Sequence, residues 1–303
     1  MSWRSRRGRI SGTTDIAGAF AWCERLTRSH YENFPVASLF IPRDRRPYVC
    51  AVYAFARTAD DFADEGDDLP RVRLEKLDDW QAKLDASYEG RADHPVFVAI
   101  AETAARTGLP KSLLSDLLTA FRMDVTTKRF QSTAELLQYC RFSANPVGRI
   151  VLHIFKGAAP GSLLLSDSIC TGLQLANFAQ DLSVDWRKGR LYVPLEDLNR
   201  FGYTEDDVER GTVDRRFRDL MEAQVDRARG FLLAGSPLVG EAPREIRFEL
   251  ALTVRGGLAI LKRVERIGYD VLHTRPVVSI PDKARIVFMA IAGRSAWTSQ
   301  PPR

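Results

Sequence analysis

At 303 residues, with 45% hydrophobic and 27% charged side chains but only 20 Gly and 15 Pro, the chain is too apolar for disorder and too poor in Gly and Pro for a fibre. The net charge of +5 is modest and partly gathered in Arg4, Arg6, Arg7 and Arg9, so residues 1–15 read as a solvated basic tail, and no nucleic-acid partner is expected. Four scattered cysteines without a CxxC pair argue against a zinc site or a disulfide framework and fit a reducing cytoplasm. The start carries no signal peptide, and no run of about 18 uncharged apolar residues exists. Contact with a membrane is therefore expected to be peripheral, on its inner face.

In chain order, apolar positions recur at helical spacing in 16–30, 47–64, 70–88, 95–107, 110–127, 133–156, 162–186, 213–235, 243–270 and 280–293. Pro35, Pro42, Pro70, Pro95, Pro110, Pro194 and Pro281 fall at the breaks or in first turns, where a missing N–H costs little. Ser132 with Glu135 has the spacing of a capping box, and Thr204 with Asp207 that of a cap on a short helix. Alternating strand patterns, hairpin turns and repeats are missing, and no linker divides the chain. Residues 16–303 are expected to form one all-α domain.

Tyr53, Arg57, Asp60 and Asp64 fall within about 60° of one another on a helical wheel, while Ala54, Phe55, Ala59 and Phe62 turn elsewhere. Two carboxylates at i, i+4 lie about 6 Å apart and repel, so a counter-charge is required. Arg57 supplies part of it, and a divalent cation would supply more. A second segment repeats the geometry: Gln174, Asn177, Asp181 and Asp185 form a polar stripe through an otherwise apolar helix. A basic loop with Lys188, Gly189 and Arg190 follows. All-oxygen donors suit Mg²⁺, which takes one or two carboxylates and completes its shell with water and substrate phosphates. The geometry by itself leaves two readings, a metal–diphosphate site and buried salt-bridge networks.

These residues resemble the squalene and phytoene synthase family. Its first motif, Y-x3-R-x2-DD-x2-D, matches Tyr53, Arg57, Asp60, Asp61 and Asp64. Its second, Q-x2-N-x3-D-x3-D followed by R-x-Y, matches Gln174, Asn177, Asp181, Asp185, Arg190 and Tyr192. Tyr139 matches a family active-site tyrosine. The resemblance runs from about residue 16 to 290 and implies a single-domain isoprenoid synthase helical bundle, with both aspartate motifs facing a central cavity. It also implies a prenyl diphosphate substrate and neighbouring pathway enzymes as partners.

Two departures narrow the resemblance. Ser143-Ala-Asn145-Pro146-Val-Gly148 replaces the family's Val-Ala-Gly-Ser/Thr-Val-Gly, and His30 to Ser38 replaces an early serine motif. Both resemble the bacterial hydroxysqualene synthase branch of hopanoid biosynthesis, which hydrates presqualene diphosphate. The expected site then has Mg²⁺ on Asp60, Asp64, Asp181 and Asp185, and substrate contacts from His30, Asn33, Phe34, Arg57, Gln174, Asn177, Lys188 and Arg190. Catalytic roles fall to Tyr53, Arg57, Tyr139, Asn145, Asn177 and Tyr192, with Asn145 orienting the attacking water. NADPH is not expected.

Phe34, Phe55, Phe178 and Tyr53 or Tyr139 are candidates for the cavity wall, where an aromatic face favours a cation by about 0.5–2 kcal/mol. Gly148, Gly172 and Ala176 read as small residues for close helix packing, and His94 and His273 as surface residues. Tyr269 and the Arg275-Pro276 step match the family without an assigned chemistry. The rivals are a presqualene diphosphate synthase condensing two farnesyl diphosphates, a phytoene synthase, and a non-catalytic scaffold of the same fold. Survival of all four DxxxD carboxylates argues against the scaffold.

Overall fold

A computed structural model describes residues 15–29 and 41–277. His30, Asn33 and Phe34, the basic tail and the helix expected over 280–293 lie outside the described residues. Helices dominate, and among the described residues the only β pairing is an isolated parallel bridge between Arg129 and Leu191. No helix among them is long and apolar enough to cross a membrane.

Two compact units emerge. The first comprises residues up to Thr126 together with His153–Lys156. It contains α1 (Ile16–Ser29), α2 (Arg46–Asp64), α3 (Pro70–Tyr88), α4 (Pro95–Thr107) and α5 (Lys111–Thr126). Prolines open α2, α3 and α4 in their first turns, and Gly108, in the left-handed region at φ +70°, closes α4. The apolar face of α2 is buried as its periodicity requires, with Ala51, Ala54, Phe55 and Ala59 in the core. Phe55 is fully buried against Trp80 and Phe97, at centroid distances of 6.1 and 6.0 Å, so it belongs to this core and not to a cavity wall. His94 is half-buried among Trp22, Trp80 and Phe97, which corrects its reading as a surface residue. Its Nδ1 accepts from the Val96 N–H and caps α4, and burial pushes its pKa down. His273 is exposed, as expected.

The second unit, Thr127–Leu152 and Gly157 onward, contains the remaining helices apart from His153 and Ile154, the last two residues of one of them. These are α6 (Thr133–Ser143), α7 (Asn145–Ile154), α8 (Pro160–Arg187), α9 (Leu195–Arg200), α10 (Glu205–Glu209), α11 (Arg215–Gly235), α12 (Leu238–Glu241) and α13 (Arg244–Arg266). The long α8 lies against α11 at a distance only glycine permits. A Cβ on Gly172 would stand 2.8 Å from the Leu232 nitrogen, and one on Gly235 would stand 2.6 Å from the Leu165 oxygen. A Cβ on Gly148 would likewise run into Ser166 and Cys170, so α7 approaches α8 just as closely.

The single helix expected over 133–156 is two helices, because Pro146 cannot donate to the Phe142 carbonyl and the chain turns at Ala144. The capping box at Ser132 is also half-made. Ser132 Oγ accepts from the Glu135 N–H, but the Glu135 carboxylate accepts from Gln131 and not from Ser132. Thr204 and Asp207 form the complete reciprocal box on α10. All four cysteines are free thiols.

Candidate active site

Each aspartate motif stands on one helix, and each carries a different counter-charge. On α2 the Arg57 guanidinium lies 2.6 Å from Asp61 Oδ1, 3.3 Å from Asp60 Oδ2 and 3.5 Å from Glu65 Oε1. Three carboxylates within two turns would otherwise repel, and one cation set a turn earlier offsets them. The Arg57 Nε is buried without a hydrogen-bond partner among the described residues. Tyr53, a turn before Arg57, is half-buried, and its phenol pKa is raised chiefly by that burial and further by Asp60 and Asp61, against the pull of Arg57. Asp64 ends the row at an exposed position.

On α8 the stripe of Gln174, Asn177, Asp181 and Asp185 is partly accessible, with Asn177 exposed and the other three half-buried. Burial first, and then the neighbouring Asp181, push the Asp185 carboxyl up to about 6, while Arg190, Lys188 and Arg275 pull it down. The helix ends directly after it. The Arg190 N–H donates 2.9 Å to the Asp185 carbonyl, and Gly189, at φ +74°, makes the turn that folds Lys188 and Arg190 back beside that carboxylate.

Asp181 has a partner that sequence reasoning missed. Arg275 donates from Nε and Nη2 to the two Asp181 oxygens at 2.6 and 3.0 Å, and the Gln180 amide holds the neighbouring Pro276 carbonyl at 2.6 Å. The sequence marked Arg275 only as a family match without chemistry, because 94 residues separate the pair. The chain returns to α8 through a turn in which Gly268 and Tyr269 both adopt φ +63°. That conformation is uncommon for an aromatic residue.

Behind the stripe lies an aromatic group. Phe178 and Tyr192 stack at 3.9 Å and 7°, and Tyr139 stands 6.2 Å from Phe178 and 5.9 Å from Tyr192. Phe130, which the sequence reading passed over, backs both tyrosines at 5.4 and 5.7 Å and is itself buried. Tyr139, Phe178 and Tyr192, singled out separately in the sequence, are thus one cluster.

Asn145 stands at the α6–α7 break, where its Oδ1 accepts from the Thr171 hydroxyl at 2.9 Å, one turn before Gln174 on α8. Two residues earlier, Ser143 Oγ is buried without a hydrogen-bond partner among the described residues.

Among the described residues no three His, Cys, Asp or Glu side chains gather closely enough to hold a metal ion by themselves. The donors present, a carboxylate pair with an amide stripe and one carboxyl raised by burial and a like charge, fit a hard cation that fills its shell with water and phosphate oxygens.

Comparison with known proteins identifies the family. The family model for squalene/phytoene synthase matches residues 27–282. The chain is 34% identical over 275 residues to a hydroxysqualene synthase of Rhodopseudomonas palustris, covering 89% of each chain. It is 30% identical over 273 residues to a phytoene synthase of Arthrospira platensis, covering 86% of this chain and 88% of that one. Among solved structures it is similar to the squalene synthase HpnC of Alicyclobacillus acidocaldarius, with a TM-score of 0.80 and 41% identity over 84% of this chain and 95% of the other.

Proposed function

The chain belongs to the squalene/phytoene synthase family of isoprenoid synthases, and on that premise we propose that it converts presqualene diphosphate and water to hydroxysqualene and diphosphate. The observation that carries the hydration step is the α6–α7 break. A buried Ser143 hydroxyl without a partner among the described residues and an Asn145 amide, with its oxygen engaged by Thr171, stand two residues apart where the backbone ladder is interrupted. A buried water needs two to four polar partners, and an unsatisfied buried hydroxyl is what such a water would satisfy. Asn145 then directs its NH2 at the water oxygen and leaves the lone pair for the carbocation.

Asp60 and Asp64 on α2, and likewise Asp181 and Asp185 on α8, would each hold Mg²⁺, which would supply Lewis-acid stabilisation of the leaving oxygens. Lys188 and Arg190 donate to the diphosphate as the C–O bond breaks and the diphosphate departs with the electron pair. Arg57 acts in the same way from α2, and Gln174 and Asn177 orient the head group. Tyr53, Tyr139, Phe178 and Tyr192 offer π faces to the rearranging cation. Water then forms the new C–O bond, and its proton leaves to the released diphosphate.

A second reading, condensation of two prenyl diphosphates, is favoured by the 30% identity to a phytoene synthase. One experiment separates the two. Purified protein with Mg²⁺ and no NADPH is given presqualene diphosphate or farnesyl diphosphate in separate reactions. A C30 alcohol from presqualene diphosphate alone supports hydration, whereas a cyclopropyl diphosphate from farnesyl diphosphate overturns it. Within the first outcome, Asn145→Ala at full alcohol yield would remove Asn145 from the water step.

A further inference from the structure

The basic loop after α8 is short, exposed at Lys188 and Gly189, and turned by a glycine, so its conformation needs an external support. Arg129 provides one. Its Nε donates to Glu205 Oε2 at 2.9 Å, and Nη2 lies 2.8 Å from the same oxygen. Its Nη1 donates to the Gly189 carbonyl at 2.7 Å and to the Lys128 carbonyl at 2.9 Å, and the guanidinium lies 5.1 Å from the centroid of the Trp186 ring. Trp186 in turn donates its indole N–H to Glu209 at 2.5 Å. Glu205 and Glu209 stand one turn apart on α10, the helix fixed by the complete capping box. The Leu191 N–H completes the clasp on the Lys128 carbonyl at 3.0 Å.

We propose that Arg129 is a positioning residue of the active site, holding 186–192 against α10 so that Lys188 and Arg190 stand beside Asp185 and Tyr192 stacks on Phe178. The guanidinium's donors are spent on protein groups, which separates Arg129 from the residues that meet the diphosphate. Its planar fork satisfies a carboxylate and two carbonyls at once while a ring covers one face, and lysine can copy only the charge. The functional weight of the clasp rests on the reading that the loop binds diphosphate.

The test uses the full chain with Arg129→Ala, Arg129→Lys and Glu205→Gln, read by amide hydrogen exchange over 186–192 and by binding of inorganic pyrophosphate with Mg²⁺. Exchange in the loop is expected to rise about tenfold in Arg129→Ala, the factor carried by loss of one charge-assisted hydrogen bond, with α11 unchanged. Arg129→Lys should fail to restore it, Glu205→Gln should loosen the loop less, and pyrophosphate affinity should fall about tenfold with the loop. Should Arg129→Ala not fold, the other two variants carry the same comparison. Unaltered loop exchange in every folded variant overturns the proposal. A loosened loop with unaltered pyrophosphate affinity keeps the clasp and overturns the loop's role in binding diphosphate.

Discussion

On the function proposed above, Arg275 and a divalent cation would compete for the same two oxygens of Asp181. The guanidinium lies over both oxygens of Asp181, yet Arg275 is 55% exposed and Asp181 26%, so water screens the pair. Exposed ion pairs contribute about 0.2–1 kcal/mol, and two aligned hydrogen bonds put this one near the top, about 1 kcal/mol. That energy must be returned before Asp181 can bind a metal. Its loss in Arg275→Gln therefore predicts about fivefold tighter binding of Mg²⁺ or Mn²⁺. Loss of the positive charge also leaves Asp181 and Asp185 to repel one another, which pushes in the same direction. Metal titration by calorimetry, without substrate and at fixed ionic strength, measures this apart from any contact of Arg275 with diphosphate. In the Asp181→Asn background the gain should vanish, since the coupling belongs to the pair. Unchanged or weaker metal binding in Arg275→Gln, or an equal gain without Asp181, would refute the reasoning.

Glycines should split by what surrounds them. Gly172→Ala drives a Cβ into the Leu232 nitrogen and the Ala228 oxygen, backbone atoms that cannot turn aside, and should cost about 1–3 kcal/mol in urea unfolding. Gly230→Ala, in the interior of α11 with open space around it, should instead stabilise by about 0.4–1 kcal/mol, and the opposite order would contradict the helix spacing. Burial lifts Glu249 on α13 from 4.5 to about 7, so the unfolded chain loses this proton first and stability falls as pH rises between those values. At about 1.36 kcal/mol per tenfold the ceiling is about 3 kcal/mol, and water at its accessible edge reduces that to about 1–2 kcal/mol. Glu249→Gln should accordingly stabilise at pH 8 and do nothing at pH 4.5; a pH-independent effect would count against the burial.

What the sequence made legible follows a physical line between local and distant order. Helical periodicity placed α2, α3 and α4 nearly to the residue, because proline and glycine chemistry marks their ends within the same few positions. The two polar stripes were legible for the same reason: i, i+3 and i, i+4 spacing is a property of one helix and needs no tertiary knowledge. The failures share the opposite cause. His94 misread as a surface residue because burial came from Trp22 and Trp80, both more than ten residues away, and Phe55 lost its place on a cavity wall to the same aromatic core. Arg275 on Asp181 and Arg129 on the loop around Gly189 are pairings across 94 and 60 residues, and charge alone does not say which of 44 Lys and Arg will be chosen. The α6–α7 break lies between the two cases. Residues 133–156 read as one helix although Pro146 lies inside them, and only the contact of Asn145 with Thr171 makes the interruption a polar feature beside the α8 stripe. Motif residues were therefore readable as candidates, while the residues that hold them in place were not.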